Sequence, residues 1–205
     1  MIPLRVITVL LAALVLALPA YAQASWWGGR GVGTVPHALI AAYGGDTVAA
    51  ATAFADRYAH EMNVTVLVDF HNDSVRDALA VADALGDRLW GVRLDTSDNL
   101  VDRALWEDMG SFKPTGVNEE LVRRVRSALD HARHPHVKIV CSGGFTAERI
   151  REFEEKNVPA DSYGVGSSLL RGANDFTADV VLVEGRPCAK AGREYRPNPR
   201  LERVT

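Results

Sequence analysis

The sequence is poor in cysteine, in aromatic residues and in net charge, and each shortage removes a class of protein. Two cysteines, Cys141 and Cys188, cannot build the framework of a disulfide-held secreted domain. Cys141 closes an apolar run, which suits a buried free thiol. A net charge of −3 offers no basic face for broad nucleic-acid binding. Small anionic substrates stay open to the chain, because backbone N–H groups bind phosphate whatever the global charge. The apolar run from Val6 to Leu18 is shorter than the ~20 residues that a helix needs to span a bilayer. No internal repeat or low-complexity stretch interrupts the chain. Its 205 residues suffice for one sizeable domain and not two.

The N-terminal run carries its own question. Arg5 precedes it and Pro19-Ala20-Tyr21-Ala22 follows, which is the layout of a secretory signal with an A-x-A-like site. Three readings stand: an export signal, a buried strand or helix, or an incorrect start joined to a fragment. Residues 1–24 are therefore set apart as an apolar leader, and residues 25–205 as the domain.

Beyond the leader, strand and helix patterns alternate. Val64–Asp69, Leu89–Leu94, Val137–Cys141 and the shorter Asp161–Val165 read as strands buried on both faces. Between them lie helix patterns: Ser74 caps one through about Leu85, with Gly86 as its stop. Asn118 caps a second, with Leu121, Val122, Val125 and Leu129 facing inward, and Thr146 caps a third through about Lys156. Upstream, Pro36–Tyr43 and Asp46–Tyr58 are expected to be helical. The alternation implies βαβ units and a parallel sheet. Four strands are legible where a closed barrel needs about eight, so an open sheet or a part of a barrel is expected. After Thr177 the pattern changes, and residues 178–190 read as an appended β hairpin.

In parallel α/β folds ligands bind at the carboxyl ends of the strands. Here those ends carry Asp69, Asp95, Ser142-Gly143-Gly144 and Gly164-Val165-Gly166. Two carboxylates would then face two glycine turns. Glycine lets the backbone approach an anion closely, and a helix starting after the turn aims free N–H groups at it. The carboxylates suit sugar hydroxyls or a divalent ion on a pyrophosphate. Arg93 is expected on the opposite side of its strand from Asp95, which argues against an ion pair between them. The stretch Trp26–His37 is rich in glycine beside two tryptophans, and His37 follows Pro36 at a helix start. His71, His131, His134 and His136 are read as loop or surface residues without a role.

Gly33-Thr-Val-Pro-His37, Gly91-Val-Arg-Leu-Asp95, Val140-Cys-Ser-Gly-Gly144 and Asp161-Ser-Tyr-Gly-Val-Gly166, in that order, resemble the nicotinate phosphoribosyltransferases. The run Asp179–Lys190 and the Asn198-Pro-Arg-Leu201 tail extend the resemblance, which covers residue 23 onward. The aspartate and Ser-Gly-Gly elements are shared with quinolinate phosphoribosyltransferase. The resemblance implies a partial TIM-like α/β barrel of parallel strands with a C-terminal β hairpin. It implies transfer of phosphoribosyl from phosphoribosyl pyrophosphate to nicotinate, with ATP as co-substrate and Mg²⁺, in NAD biosynthesis; the alternatives are an inactive or split fragment acting as a phosphate-binding module, or the decarboxylating quinolinate reaction. His37 resembles the histidine phosphorylated by ATP, and Asp95 the aspartate that holds the ribose or its Mg²⁺-bound pyrophosphate. Ser142, Gly143, Gly144, Gly164 and Gly166 resemble the 5′-phosphate cup, and Asp69 a further substrate contact. No side chain is assigned as a direct metal ligand. Members are about twice this length and cytoplasmic, so the resemblance also implies a homo-oligomer or a missing N-terminal half, and sets a cytoplasmic location against the signal-like leader.

Overall fold

The computed structural model describes residues 33–166, 179–197 and 199. The leader, the Trp26–Gly31 stretch, Ser167 and Ser168 and the end of the tail lie outside the described residues. Five parallel strands form one sheet: β1 (Thr34–Val35), β2 (Val64–Leu67), β3 (Leu89–Leu94), β4 (Lys138–Cys141) and β5 (Ser162–Tyr163). Their spatial order is their chain order. Right-handed crossovers that never reverse direction put every connecting helix on the same face, which is the winding of a barrel rather than of a doubly wound sheet.

Those connections are helices α1 (His37–Ala42), α2 (Thr47–Tyr58), α3 (Ser74–Leu85), α4 (Glu119–His131) and α5 (Ala147–Glu155). The first four pack side by side in sequence order. Strand register brings Val35, Val66, Val92 and Ile139 into one row against them, and none of the four has exposed surface. Each such valine or isoleucine buried stabilises the fold by about 1.5–3 kcal/mol. On α4, Leu121, Val122, Val125 and Leu129 are all fully buried, and the Asn118 side chain accepts from Leu121 N at 3.0 Å. Asp46 and Thr146 cap α2 and α5 in the same way.

Three local readings are corrected. Ser74 lies inside α3 rather than capping it. Its N–H and its hydroxyl both donate to Asp102, at 3.0 and 2.7 Å, so a carboxylate remote in sequence satisfies that helix end. The strand β1 adds a fifth to the four expected. It is two residues long between Gly33 and Pro36 and exists because β2 supplies its ladder. The hairpin is also shorter than expected: β6 (Leu182–Val183) pairs antiparallel with β7 (Arg186–Pro187). Glu184 and Gly185 turn it with φ of 52° and 75°, and two successive positive φ values match the twist of a tight hairpin.

Candidate active site

The opposite sheet face carries the other residue of each strand pair. Thr34 faces Thr65, Leu67 faces Arg93, and Arg93 faces Val140. Just beyond these positions come Asp69, Asp95, Ser142 and Gly164, in the same alternation. Side chains two apart on a strand share a face, so Arg93 and Asp95 point the same way. The expectation that they diverge is corrected: Arg93 Nη2 lies 3.8 Å from Asp95 Oδ2.

Both groups meet at Ser142. Arg93 Nε donates to Ser142 Oγ at 2.8 Å, and its Nη1 donates to Thr34 Oγ1 at 3.2 Å. Ser142 Oγ lies 2.9 Å from both Leu94 O and Asp95 Oδ1, so its one proton is shared between them. Asp95 is thereby held in place while a quarter of its side chain remains exposed, which leaves it room to meet a ligand.

The two glycine turns adjoin this group. Gly143 and Gly144 have φ of 89° and 72°, in the left-handed region. A Cβ at Gly143 would lie 3.4 Å from Asp95 Oδ1. A Cβ at Gly164 would lie 3.0 Å from that of Ser142, and Gly164 N donates to Cys141 O at 2.8 Å. The turns are neighbours, and Asp95 sits against the first of them. Among the described residues nothing lies within 4 Å of a Cβ added at Gly166. Arg149, which sequence reasoning passed over, holds the first turn. It donates to Gly143 O at 3.0 Å and to Val117 O at 2.6 Å, and lies 4.5 Å over the Phe145 ring.

His37 and Asp69 form the second half of the site. His37, the first residue of α1, places Nε2 2.8 Å from Asp69 Oδ1. The Asp69 side chain has no exposed surface, and its Oδ2 lies 2.6 Å from the ammonium of Lys190. Burial alone would raise the Asp69 pKa. The hydrogen bond and charge of His37, and then Lys190, outweigh it and hold the carboxyl below the usual aspartate value. Asp69 is therefore an anion that only accepts, which places the His37 ring proton on Nε2 and leaves Nδ1 without it when the ring is neutral.

Lys190 is the other residue that sequence reasoning missed. It lies past the hairpin, is 7 % exposed, and donates to the Asp95 carbonyl with its Nζ 3.9 Å from Asp95 Oδ2. The strap that carries it is anchored on each side. The Cys188 thiol donates to Ala41 O at 3.3 Å, and Ala191 N donates to Phe70 O at 2.8 Å. The only hint in sequence was a lysine ending the Arg186–Lys190 run.

Among the described residues no three His, Cys, Asp or Glu side chains converge to hold a metal ion. The two carboxylates of this group, Asp69 and Asp95, already share an ammonium, so these residues do not fit a resident Mg²⁺. His71 pairs with Asp77 at 2.7 Å, His134 with Asp83 at 2.8 Å, and His131 with Ser127 O at 2.7 Å; all lie outside this group. Among the described residues no helix is long and apolar enough to cross a membrane.

No family model matches the chain. It is 33% identical over 176 residues to a nicotinate phosphoribosyltransferase of Mycobacterium tuberculosis, pncB1, covering 82% of this chain and 34% of that protein. A second from the same organism, pncB2, is 29% identical over 161 residues, covering 75% of this chain and 30% of that protein. The crystal structure of nicotinate-nucleotide pyrophosphorylase from Pyrococcus furiosus matches with a TM-score of 0.57 and 34% identity, over 83% of this chain and 40% of that one. The chain thus spans about a third of the length of the curated relatives it matches.

Proposed function

The chain belongs to the nicotinate phosphoribosyltransferase family, and from that premise we propose that it transfers phosphoribosyl from phosphoribosyl pyrophosphate to nicotinate, with ATP as co-substrate and Mg²⁺ present. The product is nicotinate mononucleotide, and the reaction belongs to NAD biosynthesis.

The observation that carries this reading is the cluster of Asp95, Ser142 and the two glycine turns. The Gly143-Gly144 turn, which leads into α5, and the Gly164–Gly166 turn take the 5′-phosphate through backbone N–H groups. Asp95, partly exposed and tied to Ser142, takes the ribose. Displacement at the anomeric carbon passes through an oxocarbenium-like state, so an anion fixed beside the sugar lowers the barrier without a covalent step of its own. The buried Asp69 acts at one remove from the substrate. It orients His37 so that Nδ1 is the nitrogen presented to the phosphoryl group of ATP. Phosphoryl transfer would break the γ-phosphate bond of ATP and form an N–P bond at His37, with ADP leaving.

The test is direct. Purified chain with nicotinate, phosphoribosyl pyrophosphate, ATP and Mg²⁺ should form nicotinate mononucleotide, and ³²P from γ-labelled ATP should appear on wild type and not on His37→Ala. Product formed equally by Asp95→Asn would overturn the role of Asp95. The name of the Pyrococcus neighbour supports a second reading, in which pyrophosphate and nicotinate nucleotide interconvert without ATP. An ATP-independent rate equal to the ATP-supplemented one would favour it. Quinolinate replacing nicotinate, with CO₂ released, would move the chain to the decarboxylating branch.

A further inference from the structure

We infer that Lys190 is the resident cation of this site: its ammonium takes the place between Asp69 and Asp95 that a divalent ion would need, and locks the two carboxylates together. The inference deepens the proposed reading of Asp95, but it rests on geometry that is independent of any reaction. Three oxygens surround Nζ. Asp69 Oδ2 is 2.6 Å away, the Asp95 carbonyl accepts its hydrogen bond, and Asp95 Oδ2 is 3.9 Å away. Two carboxylate oxygens and a carbonyl are the hard donors a Mg²⁺ or Mn²⁺ ion selects. A buried ammonium already in that position excludes the ion by charge and by volume.

The surrounding charges make the placement specific. Asp69 is fully buried and has His37 on its other oxygen, while Asp95 has Ser142 at 2.9 Å and Arg93 at 3.8 Å. Removing Lys190 would leave two carboxylates facing one small cavity with no cation between them, a vacancy of the right size and sign for a divalent ion. The lysine comes from the strap after the hairpin. The strap's hydrogen bonds to Ala41 and Phe70 tie its position to helix α1, which carries His37, and to the loop that carries Asp69. Lys190 is thus a positioning residue, which acts on the substrate through Asp95.

The experiment is Mn²⁺ binding to the purified full chain, without nucleotide or pyrophosphate, followed by electron paramagnetic resonance. Wild type should bind Mn²⁺ no more tightly than Asp95→Asn. Lys190→Met should gain at least about tenfold in Mn²⁺ affinity, and combining it with Asp95→Asn should abolish the gain. Lys190→Arg should bind no better than wild type. Where Lys190→Met folds poorly, the inference predicts that added Mn²⁺, or methylammonium as a free ammonium, restores its thermal midpoint while potassium does not. Wild type binding Mn²⁺ at least about tenfold more tightly than Asp95→Asn would overturn the inference. So would Lys190→Met showing neither gain nor rescue. Neither readout depends on turnover, so the inference and the proposed reaction fail separately.

Discussion

Asp69 stands between two donors, His37 Nε2 at 2.8 Å from one carboxylate oxygen and the Lys190 ammonium at 2.6 Å from the other, and its side chain has no exposed surface. A buried ion pair that loses one partner leaves an uncompensated charge, at a cost of about 3–5 kcal/mol. Asp69→Asn should therefore lower stability by that amount in a urea titration, chiefly because the Lys190 ammonium is left unpaired. The pH dependence follows from the same group. Its folded pKa lies below the ordinary 3.8, so its contribution is complete above the unfolded value and is lost as pH falls through the folded one. The gap between wild type and Asp69→Asn should narrow as pH falls below 3.8. A gap that stays undiminished in stronger acid would contradict the pairing.

Gly143 turns the chain where glycine is favoured. Its φ of 89° is unfavourable for an L side chain by roughly 1–2 kcal/mol, and an added Cβ would touch Asp95 Oδ1 at 3.4 Å. Gly143→Ala should lower the thermal midpoint and raise the KM for phosphoribosyl pyrophosphate. No described residue comes within 4 Å of a Cβ added at Gly166, so Gly166→Ala should leave the midpoint unchanged. If Gly166→Ala nonetheless raises that KM, the second turn touches the phosphate. Unchanged KM in both variants would remove the cup.

The parts legible in sequence were those set by local rules. The apolar spacing and the Asn118 cap of α4 lie within one helix, and all four inward residues are fully buried. Asp95 and Ser142 were legible as strand ends, because parallel register alone brings such ends to one rim. Lys190 was not, since it reaches Asp95 across 95 residues of chain and no periodicity points to it. The two residues of β1 are too few to show alternation, and only pairing with β2 makes them a strand. Arg93 was misread although the rule was at hand: positions two apart on a strand share a face.

Cys141 offers a probe of the core beneath the Gly143-Gly144 turn. It closes β4 with no exposed surface, and burial pushes its thiol up to about 12. Only thiolate reacts readily with alkylating or disulfide reagents. The native protein should therefore release one thiol equivalent at most to a disulfide reagent at mildly alkaline pH, from the half-buried Cys188, and two after unfolding. Cys188→Ser should abolish the native reaction. Rapid reaction of Cys141 in that variant would mean that the β4 end opens far more often than its burial implies.

Asp102 and Asn118 allow two ways of finishing a helix to be weighed against each other. Asn118 caps α4 by accepting from Leu121 N, while its amide donates to Pro114 O at 2.8 Å and Gly116 O at 3.3 Å, and Asn118→Ala should cost about 1–2 kcal/mol. Asp102 has no exposed surface and accepts three bonds: Ser74 N at 3.0 Å, Ser74 Oγ at 2.7 Å and Ala104 N at 3.0 Å. Bonds to a charged group contribute about 1.5–3 kcal/mol each, and a buried donor left without a partner adds a desolvation cost. Asp102→Ala should thus cost at least about 3 kcal/mol, more than the Asn118→Ala effect, because its bonds are to a buried charge. It strands both the start of α3 and the Arg103–Asp108 3₁₀ turn. Ser74→Ala should lose about 1.5–3 kcal/mol, because the Ser74 N–H keeps its acceptor when the hydroxyl is gone. Equal costs for Asp102→Ala and Asn118→Ala in chemical denaturation would mean that water replaces the carboxylate, which its burial rules out.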